Sequence, residues 1–149
     1  MRRLVKMAVA AGAALLLAAG AAAAQVPDPF ARELAQKLAE AQAPLTEEGY
    51  ARAAGPFSGG LREREQQRFT LMLRANQDFR IVGFCDSRCR GLDLRLQDST
   101  GVEIARAIPQ SGAAVMYVRP RVTGQHVLDV EMQRCAAEPC WFAFNVYTR

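Results

Sequence analysis

From Leu61 to the end of the chain, apolar and polar residues alternate with a period of two. Phe69, Leu71 and Leu73 are spaced by Thr70 and Met72, and Phe79, Ile81 and Gly83 lead to Cys85. Leu92, Leu94 and Leu96 alternate with Asp93, Arg95 and Gln97, and Val102 and Ile104 follow the turn Asp98-Ser99-Thr100-Gly101. Val115 and Tyr117 mark a further run closed by Pro120. Leu128, Val130 and Met132 alternate with Asp129 and Glu131, and Phe142, Phe144 and Val146 alternate with Ala143 and Asn145. Successive side chains of a strand point to opposite faces, so each run predicts a strand with one dry and one wet face. About seven such strands separated by polar turns predict an all-β, antiparallel, jelly-roll-like sandwich over residues 61–149.

The pattern before this is helical. Phe30, Leu34, Leu38 and Ala41 form a single apolar stripe, with Asp28 in a position to cap and Pro29 suited to the first turn. Pro44 is expected to end this helix. A second short helical turn over residues 46–54, stopped by Gly55-Pro56, completes a helical arm or linker spanning 25–60. The stripe can serve as a partner-binding helix or as an arm that docks weakly.

Residues 1–24 begin with Arg2, Arg3 and Lys6, continue through an apolar stretch from Met7 to Leu17, and end in Ala22-Ala23-Ala24 before Gln25. This three-part order is expected of a cleaved secretory signal. A transmembrane anchor is the alternative; it is disfavoured because the stretch is Ala-rich and no stop-transfer charges follow it directly. No cysteine follows that would carry a lipid. The protein is therefore expected in the periplasm or secreted, with no membrane span after cleavage.

Charge adds a restriction. The chain of 149 residues carries a formal net charge of +4, but Arg2, Arg3 and Lys6 supply most of it. The remainder is nearly balanced, which disfavours a nucleic-acid partner. Arg62, Arg64 and Arg68, interleaved with Glu63 and Glu65, read as a self-paired run. Arg119 and Arg121 flank Pro120, and Arg88 and Arg90 flank Cys89. Either pair of loop arginines offers a bidentate contact to an anion or carboxylate, against the plainer reading of an Arg-rich surface.

The cysteines are Cys85, Cys89, Cys135 and Cys140. Four in a small exported domain read as two disulfides, and a tetrahedral zinc site is the alternative. If strands run up and down, both cysteine loops fall at one end of the sandwich. Pairing within each loop is favoured over crossed pairing, because each pair sits inside one short connection.

Catalytic chemistry is sparse. His126 is the only histidine, and it is in phase with Leu128, Val130 and Met132, so it is expected to pack at the core edge. A small hydrolase using His126 with a loop Ser (Ser87, Ser99 or Ser111) or an Asp is the enzymatic alternative, though no nucleophile motif is present. Asp86, Asp93 and Asp98 are the carboxylates from which a calcium site would have to be built. Asp93 and Asp98 sit at opposite ends of one strand, and Arg88 and Arg90 compete for Asp86. No metal ligand set and no cofactor motif is therefore assigned. Asp86, Arg88, Arg90, Asp93 and Trp141 remain as candidate ligand contacts. Trp141 is otherwise expected to pack beside Cys140.

Two stretches, Gly91-Leu92-Asp93-Leu94-Arg95-Leu96-Gln97-Asp98-Ser99-Thr100-Gly101 and Gly124-Gln125-His126-Val127-Leu128-Asp129-Val130, resemble the bacterial pre-peptidase C-terminal (PPC) type of domain. The resemblance spans residues 61–148 and is closest to small exported variants with paired cysteines. It departs at His126, where the family carries an aromatic residue, and at Ser87-Arg88-Cys89-Arg90-Gly91, where close variants are acid-rich. It implies a jelly-roll-like sandwich acting as an accessory module in binding, secretion or processing. The function expected is thus a non-enzymatic binding module, its partner a protein or glycan of the cell envelope. A third reading is a structural or stress-protective envelope protein that oligomerises through its N-terminal helix.

Overall fold

The computed structural model describes residues 25–107 and 112–149. The expected signal segment, residues 1–24, and Ser111 lie outside the described residues. The fold is an antiparallel β-sandwich preceded by one helix, α1 (Asp28–Glu47). Its strands are β1 (Ala51–Leu61), β2 (Gln66–Leu73), β3 (Phe79–Cys85), β4 (Leu92–Gln97), β5 (Glu103–Ala107), β6 (Ala113–Val118), β7 (Gly124–Met132) and β8 (Cys140–Thr148). One sheet has the order β1-β8-β3-β6 and the other β2-β7-β4-β5.

The alternating positions form the core between the sheets. Leu71, Leu73, Ile81, Leu92, Leu94, Leu96, Leu128, Val130, Met132, Phe142 and Phe144 are all buried there. Phe57, Phe69, Phe142 and Phe144 meet in tilted, stacked and edge-to-face pairs with centroids 4.9–6.0 Å apart, the geometry that ring quadrupoles favour.

Four expectations need correction. First, there are eight strands, and residues 51–60, assigned above to the arm, belong to β1. Gly55-Pro56 broke the alternation there. In the fold Pro56 sits where the β1–β8 register shifts, between Ala54 and Phe57, and β1 is an edge strand, where a residue without an N–H is tolerated. Gly55 has φ +102°, and a Cβ on it would lie 2.6 Å from Asn145 Oδ1, so the bulge requires glycine.

Second, α1 runs through Pro44 to Glu47, and no second helical turn occupies 46–54. Leu45, just beyond Pro44, is buried against Tyr50, Val82 and Tyr147. Burying a leucine contributes about 1.5–3 kcal/mol, enough to offset much of a proline's disruption in the last turn. Asp28 is not the cap. The Pro27 carbonyl accepts the first helical amides, and no side chain caps the helix.

Third, the apolar stripe of α1 is consumed within the molecule. Leu34 and Leu38 pack on Trp141 and Ala143, with Phe30 and Phe84 alongside. This leaves the stripe unavailable for oligomerisation.

Fourth, two edge strands have the opposite parity to the one read. In β6 it is Ala114 and Met116 that face inward, while Val115 and Tyr117 are exposed; in β5 Ala105 and Ala107 face in and Ile104 faces out. Here β5 and β6 lie side by side where the two sheets meet, and the small alanines allow that close approach.

Candidate functional site

The candidate residues read from the sequence fall into three separate places: Asp86, Arg88, Arg90 and Trp141 lie at the first and Asp93 at the second, and none of these five lines the third. At one end, the loops after β3 and β7 carry both disulfides, Cys85–Cys89 and Cys135–Cys140, so pairing is local. The two loops are zipped together by an isolated antiparallel backbone β-bridge between Cys89 and Cys135 and by Ala136 N–H donating to Arg88 O at 2.9 Å. Asp86 lies at the centre, with a fully buried side chain. Its carboxylate accepts from the Arg88 amide (2.9 Å), from Arg88 Nε and Nη2 (3.1 and 2.9 Å) and from the Trp141 amide (2.6 Å). Burial by itself would raise the Asp86 pKa; the Arg88 guanidinium and these amides outweigh it and hold the carboxyl below its ordinary range.

Arg88 also donates to Pro139 O at 2.8 Å and lies 4.0 Å over the Phe30 ring. Asp86, Arg88 and Trp141 thus form a clasp joining helix, loop and hairpin. Trp141 is packed, and a Cβ on Gly60 would lie 2.6 Å from its ring. Arg90 is exposed and joins this end only through its backbone, donating to Arg134 O at 2.9 Å.

Asp93 is elsewhere, on the outer face of the β2-β7-β4-β5 sheet. Its Oδ2 accepts from Arg95 Nε (3.2 Å) and Arg106 Nη2 (2.8 Å). Arg95 continues to Glu131 (2.6 Å), and Arg68 holds Asp129 (2.9 Å). These pairs cross all four strands of that sheet and absorb much of the arginine surplus. Among the described residues, no group of three or more His, Cys, Asp or Glu is arranged to hold a metal.

The third place is the end of the sandwich opposite the disulfides, and it contains a cleft of about 550 Å³. The β6–β7 turn, the end of β6 and the β4–β5 turn build it. Ile104, Tyr117 and Val122 give it apolar and aromatic walls, Arg119 and Arg121 stand on its rim, and Asp98 and His126 complete it. Tyr117 is 63% and Val122 69% exposed, unusual values for large apolar side chains. Val102 and Val115 are also exposed.

Hydrogen bonds to the neighbouring β2–β3 turn hold this surface. Asn76 N–H donates to Pro120 O (2.9 Å), Ala75 N–H to Thr123 Oγ1 (2.8 Å) and Arg119 Nε to Asn76 O (3.2 Å). Asp98 is turned into its own loop. Its Oδ1 accepts from the Thr100 hydroxyl (2.6 Å) and the Thr100 and Val102 amides, and the Thr100 hydroxyl foremost keeps its carboxyl below the usual range.

His126 is buried, as its phase predicts, with Nδ1 3.0 Å from Gly124 O. It shares the cleft with Asp98, but no Ser, Thr or Cys is among the residues lining it. Arg119 and Arg121 were legible as loop arginines beside Pro120. Tyr117, Ile104 and Val122 were missed because alternation alone assigned Tyr117 and Ile104 to the core; the inward alanines at 105, 107 and 114 were the available signal.

Fold and site together define a disulfide-stapled β-sandwich with one helix docked on a sheet and an apolar cleft with basic residues at its free end. No protein-family model matches the chain, and no curated protein is similar to it. Among solved structures, it is similar to a periplasmic lysozyme inhibitor of g-type lysozyme, PliG of Aeromonas hydrophila, at 15% identity and a TM-score of 0.49, over 67% of this chain and 86% of that one. That distance carries no function across.

Proposed function

We propose that the protein is a non-enzymatic, exported binding module that engages another protein of the cell envelope or secreted fraction through the cleft opposite its disulfides. The observation that carries this is the concentration of exposed Ile104, Tyr117 and Val122 beside Arg119 and Arg121 on one hydrogen-bonded surface. Tyr and Arg are the residue types that dominate protein interfaces. A protein partner is favoured over a glycan because the walls are mainly aliphatic, with a single aromatic ring. Two oxidised cysteine pairs fit an oxidising compartment. The PPC-like reading is supported by the position of its two motifs, which fall on β4 with its turn and on β7, neighbours in one sheet.

The hydrolase reading lacks a Ser, Thr or Cys in this cleft, and Asp98, the carboxylate that lines it with His126, is bound into its own turn. A photo-crosslinking amino acid placed at Tyr117 or Val122 in cells, with Arg90 and Thr70 as controls, tests the proposal. Protease-sensitive adducts of discrete mass from positions 117 and 122 alone are expected. Adducts distributed equally over all four positions, or none at all, would overturn it.

A further inference from the structure

We infer that the cleft selects an acidic segment of its partner, with a carboxylate placed next to an apolar side chain. This rests on the cleft being the binding surface and adds the chemistry of the occupant. Three observations carry it. The rim sets two guanidiniums, Arg119 and Arg121, against one carboxylate, Asp98. Asp98 Oδ1 is already occupied by Thr100 and Val102, so that carboxylate is committed to its own turn and does not neutralise the rim by contact. Arg119 has only a backbone carbonyl at 3.2 Å and a loose approach to Asp78 at 3.9 Å. Arg121 is exposed and has no hydrogen bond or ion pair among the described residues. The contrast with Arg68, Arg88, Arg95 and Arg106 is sharp, since each of those holds an acid at 3.2 Å or less.

The guanidinium fork matches a carboxylate in two parallel hydrogen bonds, a geometry that lysine lacks. The turn carrying both arginines is fixed by bonds from Ala75 and Asn76, so little order has to be acquired on binding. Beside the rim, Ile104, Tyr117 and Val122 offer an apolar wall for the side chain adjacent to the acid.

The floor adds a third contact. The His126 ring lines the cleft while 97% of the residue is withdrawn from solvent, and its Nε2 has no hydrogen-bond partner among the described residues. With Nδ1 turned to the Gly124 carbonyl, Nε2 is left as a polar contact for the incoming segment. The occupant is thus an acid–apolar pair on a polypeptide.

The test is selection from a random-peptide phage library on the disulfide-intact protein. Counter-selection uses Tyr117→Asp/Val122→Asp, two exposed sites whose change leaves the core in place; intact folding is checked by circular dichroism. The expected peptides depend on the cleft, are rich in Asp or Glu next to Leu, Ile or Phe, and bind more weakly at high salt. Arg121→Gln is expected to weaken them about tenfold, the scale of one lost interface arginine. Cleft-dependent peptides that are neutral or basic would overturn this inference and leave the binding reading standing. Failure to recover any cleft-dependent peptide would overturn both.

Discussion

Replacing Asp86 by Asn keeps the shape of the side chain and removes the charge on which four donors converge. The amide can accept through one oxygen only, and its NH2 group faces the Trp141 amide or the Arg88 guanidinium, both donors. Breaking a buried pair from one side costs about 3–5 kcal/mol. The Arg88 side chain is 27% exposed and can regain water, so the lower end, about 3 kcal/mol, is expected. With a urea m-value of about 1.5 kcal/mol/M for a domain of this size, the unfolding midpoint should fall by roughly 2 M.

The pH dependence follows from the lowered Asp86 pKa. Below about pH 4 the unfolded chain takes up a proton that the folded protein still excludes. The contribution of Asp86 is therefore complete above its unfolded pKa and is lost as pH falls through its folded one. The gap between wild type and Asp86→Asn should stay constant from neutral pH down to about 5 and then close. Urea titrations at stepped pH, with the disulfides intact, read both quantities. A midpoint within a few tenths molar of wild type, or a gap that persists to the lowest pH, would refute the clasp.

Gly60→Ala drives a methyl into the Trp141 ring, where a Cβ would lie 2.6 Å from its nearest atom; a loss of about 1–3 kcal/mol is expected, with altered Trp141 fluorescence, and an unchanged emission spectrum would count against the packing. Reducing both disulfides opens two very short loops, of sequence separation 4 and 5, each worth about 2 kcal/mol by loop closure. Thermal melts with and without reductant should differ accordingly, and non-reducing peptide mapping should recover only the local pairs.

How much was legible depended on where each residue sits in the sheet. In the strands of the sandwich centre, β3, β4, β7 and β8, alternation identified the inward side chains correctly, because a strand flanked on both sides has one fixed buried face. The edge strand β2 was read correctly too, through Leu71 and Leu73, but at the other three edges alternation failed in two ways. β1 was hidden by Gly55-Pro56, tolerated only because an edge strand needs one partner. In β5 and β6 the large residues turn outward, because the junction of the sheets admits alanine and not valine or tyrosine.

Legible along the chain were the all-β architecture, the local spacing that made the cysteine pairs possible, the stripe on the helix and the burial of His126. Each of these follows from periodicity or from separations of a few residues. Tertiary structure decided the rest: that Asp86 is tied to Trp141 while Asp93 lies on the opposite sheet, that the helix spends its apolar face on its own sandwich, and that Tyr117, Val122 and Arg121 share one surface. Those relations join residues far apart in the chain, and only the pairing and stacking of the strands brings them together.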